Sequence, residues 1–237
     1  MMTITSSDNP ALKEIRRLRG AAARTRSGLF VAEGEDLLAA ADANGWEPVR
    51  RLRASDTDLP GEPVAADLLN DVSTLSSGVR TLAVYRSEFR KVPALGVRVH
   101  LHGLRDPGNV GTILRSAHAL GATGVTLGPD TADPFGPKAV RASMGAIFAL
   151  PVERIEDPIS LEGEKVALMS HGEALPEGPL GHGGVLLVGS EREGLPAEIA
   201  KAADRCWTIP TVAGAESLNA SAALAIALHV ANRIPPE

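Results

Sequence analysis

From residue 97 onward, the chain alternates short apolar runs with glycine-containing turns and helical patterns. Strands that alternate with helices form parallel βαβ units, in which helices cover both faces of the sheet. Ligands of such sheets bind at the carboxyl ends of the strands. The sequence therefore predicts an α/β fold whose functional groups lie in the loops after the strands. The predicted strands are 97–101, 124–127, 166–169 and 185–188, and the predicted helices are 109–120, 196–203 and 218–231.

The first 86 residues form a separate, smaller pattern of helices and strands. Ser7 and Asp8 mark the start of its first helix. Residues 87–96 contain proline and glycine and predict a linker. We therefore expect two domains, at residues 1–90 and 91–237. The predicted elements of the first are helices at 10–18 and 35–43 and strands at 28–32, 49–52 and 81–85.

Composition narrows the class of protein. Hydrophobic residues make up 44% of the chain and charged residues 22%, which excludes a disordered, coiled-coil or collagen chain. Because only 3% of residues are aromatic, we expect a core of Ala, Val, Leu and Ile and no aromatic platform for stacking bare bases. The single cysteine, Cys206, excludes an intramolecular disulfide framework and a cysteine-based zinc site.

Neither export nor a membrane is indicated. The N-terminus carries charged residues where a signal peptide needs an apolar stretch. The longest apolar run, 220–228, is far shorter than the ~20 residues that span a bilayer. Together with the single cysteine, which suits a reducing compartment, these features predict a cytoplasmic protein.

A local basic stripe lies near the N-terminus, although the formal net charge of the chain is -5. Such a stripe is either a solvated helix face or a nucleic-acid footprint. Charge alone favours the solvated face. The stripe is opposed only by Glu14 and consists of Lys13, Arg16, Arg17, Arg19, Arg24 and Arg26.

Two glycine-containing loops follow predicted strands. In the first, 103–111, Asn109 is a candidate N-cap of the helix that carries Arg115. Its glycines do not have the G-x-G-x-x-G spacing, which disfavours a nicotinamide dinucleotide site. The second, 188–196, lacks the spacing of a nucleophile elbow or a P-loop. With Glu191, it is either a functional loop or a charged surface turn.

A third segment, 208–221, runs into the predicted C-terminal helix. Ser217 and Asn219 are natural N-cap residues there. The helix is rich in Ala, Leu, Ile and Val on all sides and leaves no polar face for water. Because one sheet covers only one side of a helix, we expect a partner subunit on the other, in a homodimer formed through the C-terminal domain.

Two histidines, His100 and His102, alternate on a predicted strand and share one face. A shared face is compatible with metal binding, but no third ligand is near in sequence. A surface or loop role is therefore favoured for both, and no metal site is predicted. Cys206, beside Trp207 in a predicted strand, is expected to be a small buried side chain.

Three separated motifs occur in one order: D-P-G-N-V-G-T-I-L-R with Asn109 and Arg115, L-V-G-S-E-R-E-G-L with Gly189 and Glu191, and I-P…S-L-N-A-S from Ile209. They resemble the SpoU/TrmH family of RNA ribose 2'-O-methyltransferases, which belongs to the knotted SPOUT class. The likeness covers residues 97–233, and residues 133–145 resemble the connecting segment of that family. S-S-D-N-P-x-x-K and F-V-A-E-G resemble its N-terminal substrate-binding domain.

The resemblance implies a C-terminal parallel-sheet domain tied in a trefoil knot and a smaller N-terminal ribosomal-protein-like αβ domain that binds RNA. It also implies S-adenosyl-L-methionine as the methyl donor, held by Gly189, Ile209 and Leu218. Glycine allows close backbone approach, and apolar side chains enclose an adenine ring. The catalytic residues that the resemblance implies are Asn109, Arg115, Glu191, Ser217 and Asn219.

Arg115 is the base in the mechanism that the resemblance implies. Arginine is not deprotonated in proteins, its pKa being above ~12. We therefore expect Arg115 to act as a cation that binds a substrate phosphate and stabilises the developing alkoxide. Glu191 would then orient Arg115 or accept the proton. This reaction class needs no metal.

With this catalytic context, the basic stripe is predicted to hold a structured RNA by its phosphates. Ribosomal RNA is favoured over transfer RNA, because the substrate domain resembles the ribosomal branch. The alternatives are a tRNA ribose 2'-O-methyltransferase and a catalytically silent RNA-binding relative. The methylated nucleotide and a role in antibiotic resistance stay open, as does the role of Arg192, which stands where relatives often have glycine.

Overall fold

The structure is a computed structural model that describes residues 2–75, 78–175, 180, 183–212 and 217–232. Its α-helices are α1 Pro10–Leu18, α2 Ala21–Ser27, α3 Glu35–Ala43, α4 Ala66–Val72, α5 Pro107–Ala119, α6 Pro137–Ala142, α7 Ala146–Ala149, α8 Ala197–Ala202 and α9 Ala220–Asn232. Its strands are β1 Leu29–Glu33, β2 Arg50–Ala54, β3 Glu62–Val64, β4 Thr81–Arg86, β5 Arg98–Leu101, β6 Gly124–Leu127, β7 Val152–Arg154, β8 Lys165–Ala174, β9 Val185–Val188 and β10 Arg205–Thr208.

The chain divides into two compact units. The first contains the residues up to Glu88 together with Asp133–Ala149, and the second contains Phe89–Ala132 together with the residues from Leu150 onward. The chain passes from the first unit to the second between residues 88 and 89, two residues before the domain boundary that the sequence predicts. The segment Asp133–Ala149, which carries α6 and α7, belongs to the first unit although it interrupts the second in sequence.

The first unit is built on a four-stranded sheet in the order β1-β4-β2-β3. β4 pairs antiparallel with β1 and β2, and β3 pairs parallel with β2. α1 buries Ala11, Leu12, Ile15 and Leu18 on one face. Its N-cap is Asn9, whose Oδ1 accepts a hydrogen bond from the backbone N–H of Ala11 at 2.9 Å. The helix at 10–18 is therefore confirmed, and its cap is the residue after the Ser7 and Asp8 start signal.

A cluster of aromatic rings forms part of the core of the first unit. Phe30 lies at its centre, with ring centroids 5.0 Å from Phe135 and 6.0 Å from Phe148. Trp46 and Tyr85 complete the cluster, and the indole N–H of Trp46 donates to the carbonyl of Phe148. The expectation of a core without large rings was wrong here, because the few aromatic residues are concentrated in one place. The cluster packs Asp133–Ala149 into this unit.

Arg24 also holds Asp133–Ala149 in the first unit. Its side chain is only 7% exposed. Its Nε donates to Asp133 Oδ2 at 2.9 Å, and its Nη1 donates to the carbonyls of Leu18 and Arg19 at 2.9 and 2.8 Å. A buried guanidinium needs such partners, since an unpaired buried charge is strongly destabilising. Arg24 is therefore not available to RNA, and its place in the predicted RNA-binding stripe is corrected.

The second unit is built on a six-stranded sheet in the order β10-β8-β9-β5-β6-β7. All five pairings are parallel, which confirms the predicted parallel sheet. The central strands β5 and β9 are buried at every residue. α9 packs against α5 and buries one face, while Ile226 on another face is 42% exposed. The α9 helix is thus covered on one side within this chain, and the partner subunit stays a prediction.

None of the helices within the described ranges is long and apolar enough to cross a membrane.

The aromatic cluster gives a stability prediction. We expect Phe135→Ala to lower the free energy of unfolding by about 3 kcal/mol, because it removes a buried ring and leaves a cavity. Phe89→Ala removes a ring that is 44% exposed and should cost less than about 1 kcal/mol. Urea unfolding followed by tryptophan fluorescence measures both. Equal losses would contradict a stabilising role for the cluster.

Candidate active site

The candidate site lies in the loops that follow β5 and β9, two neighbouring strands at the middle of the sheet. α5 begins immediately after the first loop, with Pro107 in its first turn and Asp106 as N-cap. Asp106 Oδ1 accepts from the backbone N–H of Gly108 at 2.7 Å. The prediction of Asn109 as the cap was wrong, because an aspartate directly before a proline at the first helical position forms the cap. Asn109 instead lies within the first turn of α5.

Asn219 caps α9, as the sequence predicts for this residue. Its Oδ1 accepts from the backbone N–H of Ser221 at 2.9 Å and from that of Ala222 at 3.4 Å. The hydroxyl of Ser221 donates to the same oxygen. The cap therefore fixes which end of the Asn219 amide is the acceptor, and leaves its Nδ2 free to donate elsewhere.

A directional chain of hydrogen bonds joins three segments that are far apart in sequence. Asn219 Nδ2 donates to Asn109 Oδ1 at 3.1 Å, and Asn109 Nδ2 donates to Glu191 Oε1 at 2.7 Å. Since the Asn219 cap sets the first amide, each later donor and acceptor follows from it. One oxygen of the exposed Glu191 carboxylate is therefore held, and the carboxylate lies beside the positive N-terminal end of α5.

The loop after β9 is closed on itself. The backbone N–H of Ser190 donates to the carbonyl of Gly194 and the N–H of Gly194 donates to the carbonyl of Ser190, both at 3.1 Å. A Cβ at Gly189 would lie 2.1 Å from the carbonyl carbon of Gly194 and 2.2 Å from the backbone nitrogen of Leu195. Only glycine fits at residue 189, and this close approach presents Glu191 at the tip of the loop.

The remaining predicted catalytic residues lie outside this hydrogen-bond chain. Arg115 is exposed six residues beyond Asn109 on α5, about 9 Å along the helix axis. Ser217 is exposed ahead of α9. Within the described part of the chain, neither side chain makes a hydrogen bond or an ion pair. The alternative in which Glu191 orients Arg115 is not what the structure has, since the partner of Glu191 is Asn109.

The apolar residues expected at the cofactor fit a bound adenosine group. Ile209 directly follows β10 and is half-buried, and Leu218 is 41% exposed. Large apolar side chains that are left partly uncovered can pack against an aromatic ring. Ile209 and Leu218 are therefore available to contact a bound adenosine group.

The basic stripe separates into paired and unpaired cations. Lys13 pairs with Asp8 at 2.9 Å and Arg16 with Asp71 at 2.7 Å. Arg19 donates to the carbonyls of Asp71 and Ser73. Arg17 and Arg26 are exposed and have neither an ion-pair partner nor a side-chain hydrogen bond among the described residues.

His100 is fully buried on β5, so the expectation of a surface or loop role was wrong for it. Burial lowers the pKa of His100 to about 3. Cys206 is only half-buried. Across the residues that the structure describes, no group of three or more His, Cys, Asp or Glu side chains is arranged to hold a metal ion.

Sequence reasoning missed the roles of Asp106 and Ser221, although Asp-Pro before the α5 pattern was a signal for the first.

Known proteins share this fold and are similar to this chain in sequence. Residues 96–229 match the model of the SpoU rRNA Methylase family. A 23S rRNA (guanosine(2553)-2'-O)-methyltransferase of Bacillus subtilis is 29% identical over 97% of this chain and 98% of its own length.

Solved structures align over nearly the whole chain. An AdoMet-bound rRNA methyltransferase from Sinorhizobium meliloti has a TM-score of 0.87 at 30% identity, covering 98% of this chain and 97% of that one. The SpoU methyltransferase AviRb from Streptomyces viridochromogenes, in complex with AdoMet, has a TM-score of 0.83 at 27% identity, covering 95% and 97%. The fold and site define an α/β methyltransferase. The chain belongs to the SpoU rRNA methylase family.

The closed loop gives a prediction about cofactor binding. We expect Gly189→Ala to weaken S-adenosylmethionine binding by at least about tenfold, because the added methyl group must separate Gly189 from Gly194. Isothermal calorimetry with S-adenosylmethionine measures this. Gly20→Ala is the matched control, since its Cβ would meet only the Arg17 carbonyl at 3.5 Å. A Gly189→Ala protein that binds the cofactor as tightly as wild type would contradict the assigned backbone packing.

Proposed function

We propose that this chain transfers a methyl group from S-adenosylmethionine to a ribose 2'-hydroxyl of ribosomal RNA. The observation that carries the proposal is the hydrogen-bond chain Asn219–Asn109–Glu191, which joins all three motifs at the carboxyl ends of parallel strands. Relatives named as 23S rRNA 2'-O-methyltransferases and neighbours solved with AdoMet support it. A fold that only bound RNA would not require this arrangement.

The cofactor supplies a methyl group already activated on a sulfonium, so the protein has to position it and manage one proton. In our proposal, Gly189, Ile209 and Leu218 hold the cofactor within a trefoil knot. The ribose oxygen forms its bond to the methyl carbon as the sulfur–methyl bond breaks. The hydroxyl proton passes to the free oxygen of Glu191, whose other oxygen is held by Asn109.

Arg115 has a cationic role in this proposal. It is exposed and unpaired among the described residues, so its guanidinium is available to a phosphate of the substrate. A fixed cation also stabilises the negative charge that develops on the ribose oxygen. Ser217 and Asn219, at the start of α9, complete the site, with Asn219 setting the orientation of Asn109.

The first unit is proposed to bind the RNA, and the second to form a homodimer. Unpaired Arg17 and Arg26 supply phosphate contacts, and Lys13, Arg16 and Arg19 add charge beside their intramolecular partners. The exposed face of α9, which includes Ile226, supports a partner subunit at that helix. Since its substrate is ribosomal RNA, we place the protein in the cytoplasm.

Substitutions at two residues separate the roles of the proton acceptor, Glu191, and the cation, Arg115. We expect Glu191→Gln to slow single-turnover methyl transfer by about a hundredfold, because it removes the proton acceptor. Arg115→Lys should keep the rate within about tenfold, whereas Arg115→Gln should lose about a hundredfold, because the charge is what acts. Ribosomal subunits from cells lacking the gene serve as substrate, and ribose methylation is mapped by mass spectrometry.

Calorimetry with S-adenosylmethionine is the control for these variants, and each should bind the cofactor within about twofold of wild type. Equal losses in Arg115→Lys and Arg115→Gln would contradict a purely electrostatic role and require the planar guanidinium. A wild-type protein that binds RNA but transfers no methyl group would identify a catalytically silent relative.

The unpaired cations give a prediction about RNA binding. We expect Arg17→Gln with Arg26→Gln to weaken RNA binding and to reduce the slope of log affinity against log salt by up to about one per lost phosphate contact. Arg80→Gln is the matched control, because Arg80 is exposed in the same unit but paired with Glu35 at 2.9 Å. Salt-dependent filter binding measures both. An unchanged slope in the double variant would remove these arginines from the interface.

A further inference from the structure

Two histidine rings lie next to each other over Gly128. His100 and His102 share one side of β5, with ring centroids 5.8 Å apart. His100 Nδ1 lies 2.9 Å from Thr126 Oγ1, directly across the β5–β6 pair. A Cβ at Gly128 would lie 2.9 Å from both His100 Nε2 and His102 Nδ1. Both ring nitrogens therefore face this glycine, and its missing side chain leaves the room for them.

Neither of these nitrogens has a hydrogen-bond partner among the described residues, and both are buried. In the charged form of a histidine both ring nitrogens carry a proton, so each charged ring would place an N–H against the backbone of Gly128 without an acceptor, which is costly. Burial, and then the neighbouring His102, lower the pKa of His100 to about 3, and Asp157 opposes this in part. Burial also lowers the pKa of His102, opposed by Asp130.

These shifts link the pair to acid stability. Below pH 6.5, the ordinary histidine pKa, the unfolded chain binds protons on both residues more readily than the native chain does. The unfolded state then holds more protons, so native stability falls as the pH falls below 6.5. The native fold therefore favours the neutral pair.

The pair also lies at the start of the candidate active site. The backbone N–H of His102 donates to the carbonyl of Val188 at 2.8 Å, and that of Gly103 donates to the carbonyl of Pro129 at 3.1 Å. Val188 directly precedes the closed loop that carries Glu191. A Cβ at Gly103 would contact Ser190 Cβ at 3.7 Å. The backbone beside these rings is therefore where the loops after β5 and β9 meet.

We propose that His100 and His102, packed as a neutral pair on Gly128, are positioning residues for the candidate site, and that protonation of His102 opens the contact between Asn109 and Glu191. His102 is protonated first, because it is partly exposed whereas His100 is fully buried. Its ring then turns away from Gly128 and displaces the loop that leads to α5. Only the activity readout of this proposal rests on the proposed methyltransferase function.

Nitrogen-15 NMR of the full chain without RNA tests the coupling directly. We expect His100 to stay neutral through the titration of His102, which should have its midpoint below pH 6.5. The side-chain amide signals of Asn109 should move with that same midpoint. A His102 midpoint at or above 6.5, or Asn109 signals that stay constant through it, would overturn the proposal whatever the activity of the protein.

Three variants extend the test to activity. Gly128→Ala adds a methyl group that displaces the rings of His100 and His102. At neutral pH, we therefore expect the Asn109 signals of this variant to lie where wild type has them at low pH. Methyl transfer should be at least about tenfold slower, while cofactor affinity should stay within about twofold of wild type. His102→Asn should abolish the loss of rate that wild type shows as His102 is protonated. His118→Gln, at an exposed histidine of α5, is the control and should keep the wild-type pH profile.

The outcomes are distinguishable from failure of the proposed function. A His102→Asn protein that keeps the wild-type loss of rate in acid would overturn the positioning role, as would a Gly128→Ala protein with wild-type rate and Asn109 signals. If the wild-type protein transfers no methyl group, the proposed function fails, and the NMR titration still decides whether the histidine pair sets the Asn109 contact.

Discussion

Parallel pairing of β5 with β9 on one side and β6 on the other is the constraint on which the candidate site depends. Leu101 is level with Val188 and with Leu127, so the three strands end at the same edge of the sheet. The loops that follow these strands therefore emerge side by side. This brings Asn109 and Glu191 into contact, although they are more than 80 positions apart in the sequence. The N-cap of α9 then determines the direction of every hydrogen bond in the chain from Asn219 to Glu191.

The first unit uses its charges for two different purposes. The buried Arg24 forms an ion pair with the half-buried Asp133, and this pair holds Asp133–Ala149 in the first unit together with the aromatic cluster around Phe30. Arg17 and Arg26 are exposed and unpaired in the described part of the chain. Charge counted along the sequence treats all these arginines alike, but the guanidinium of Arg24 is buried against three acceptors and is not accessible to a phosphate. The proposed RNA-binding surface is therefore smaller than the basic stripe.

Much of the secondary structure follows from local patterns. The predicted helix at 35–43 and strands at 124–127 and 185–188 coincide with α3, β6 and β9. Apolar periodicity and turn residues are local properties of the sequence, and they are sufficient to set the bounds of these three elements. The errors arose where two local signals competed or where a residue's surroundings come from elsewhere. Asp106 and Asn109 are both good caps, and the proline after Asp106 decides between them. His100 is buried because β6 and β9 flank it, which its own strand does not reveal.

The sequence by itself determined the family, the parallel α/β class and the three motifs, because each rests on residue types at fixed spacings along the chain. It also identified Asn109, Glu191 and Asn219 as residues to consider together. Only the tertiary structure decided that these three touch, that Arg24 is structural, and that two histidine nitrogens meet over Gly128 without hydrogen-bond partners among the described residues. Burial and hydrogen-bond partners depend on residues distant in sequence, so these properties appear only once the chain is folded.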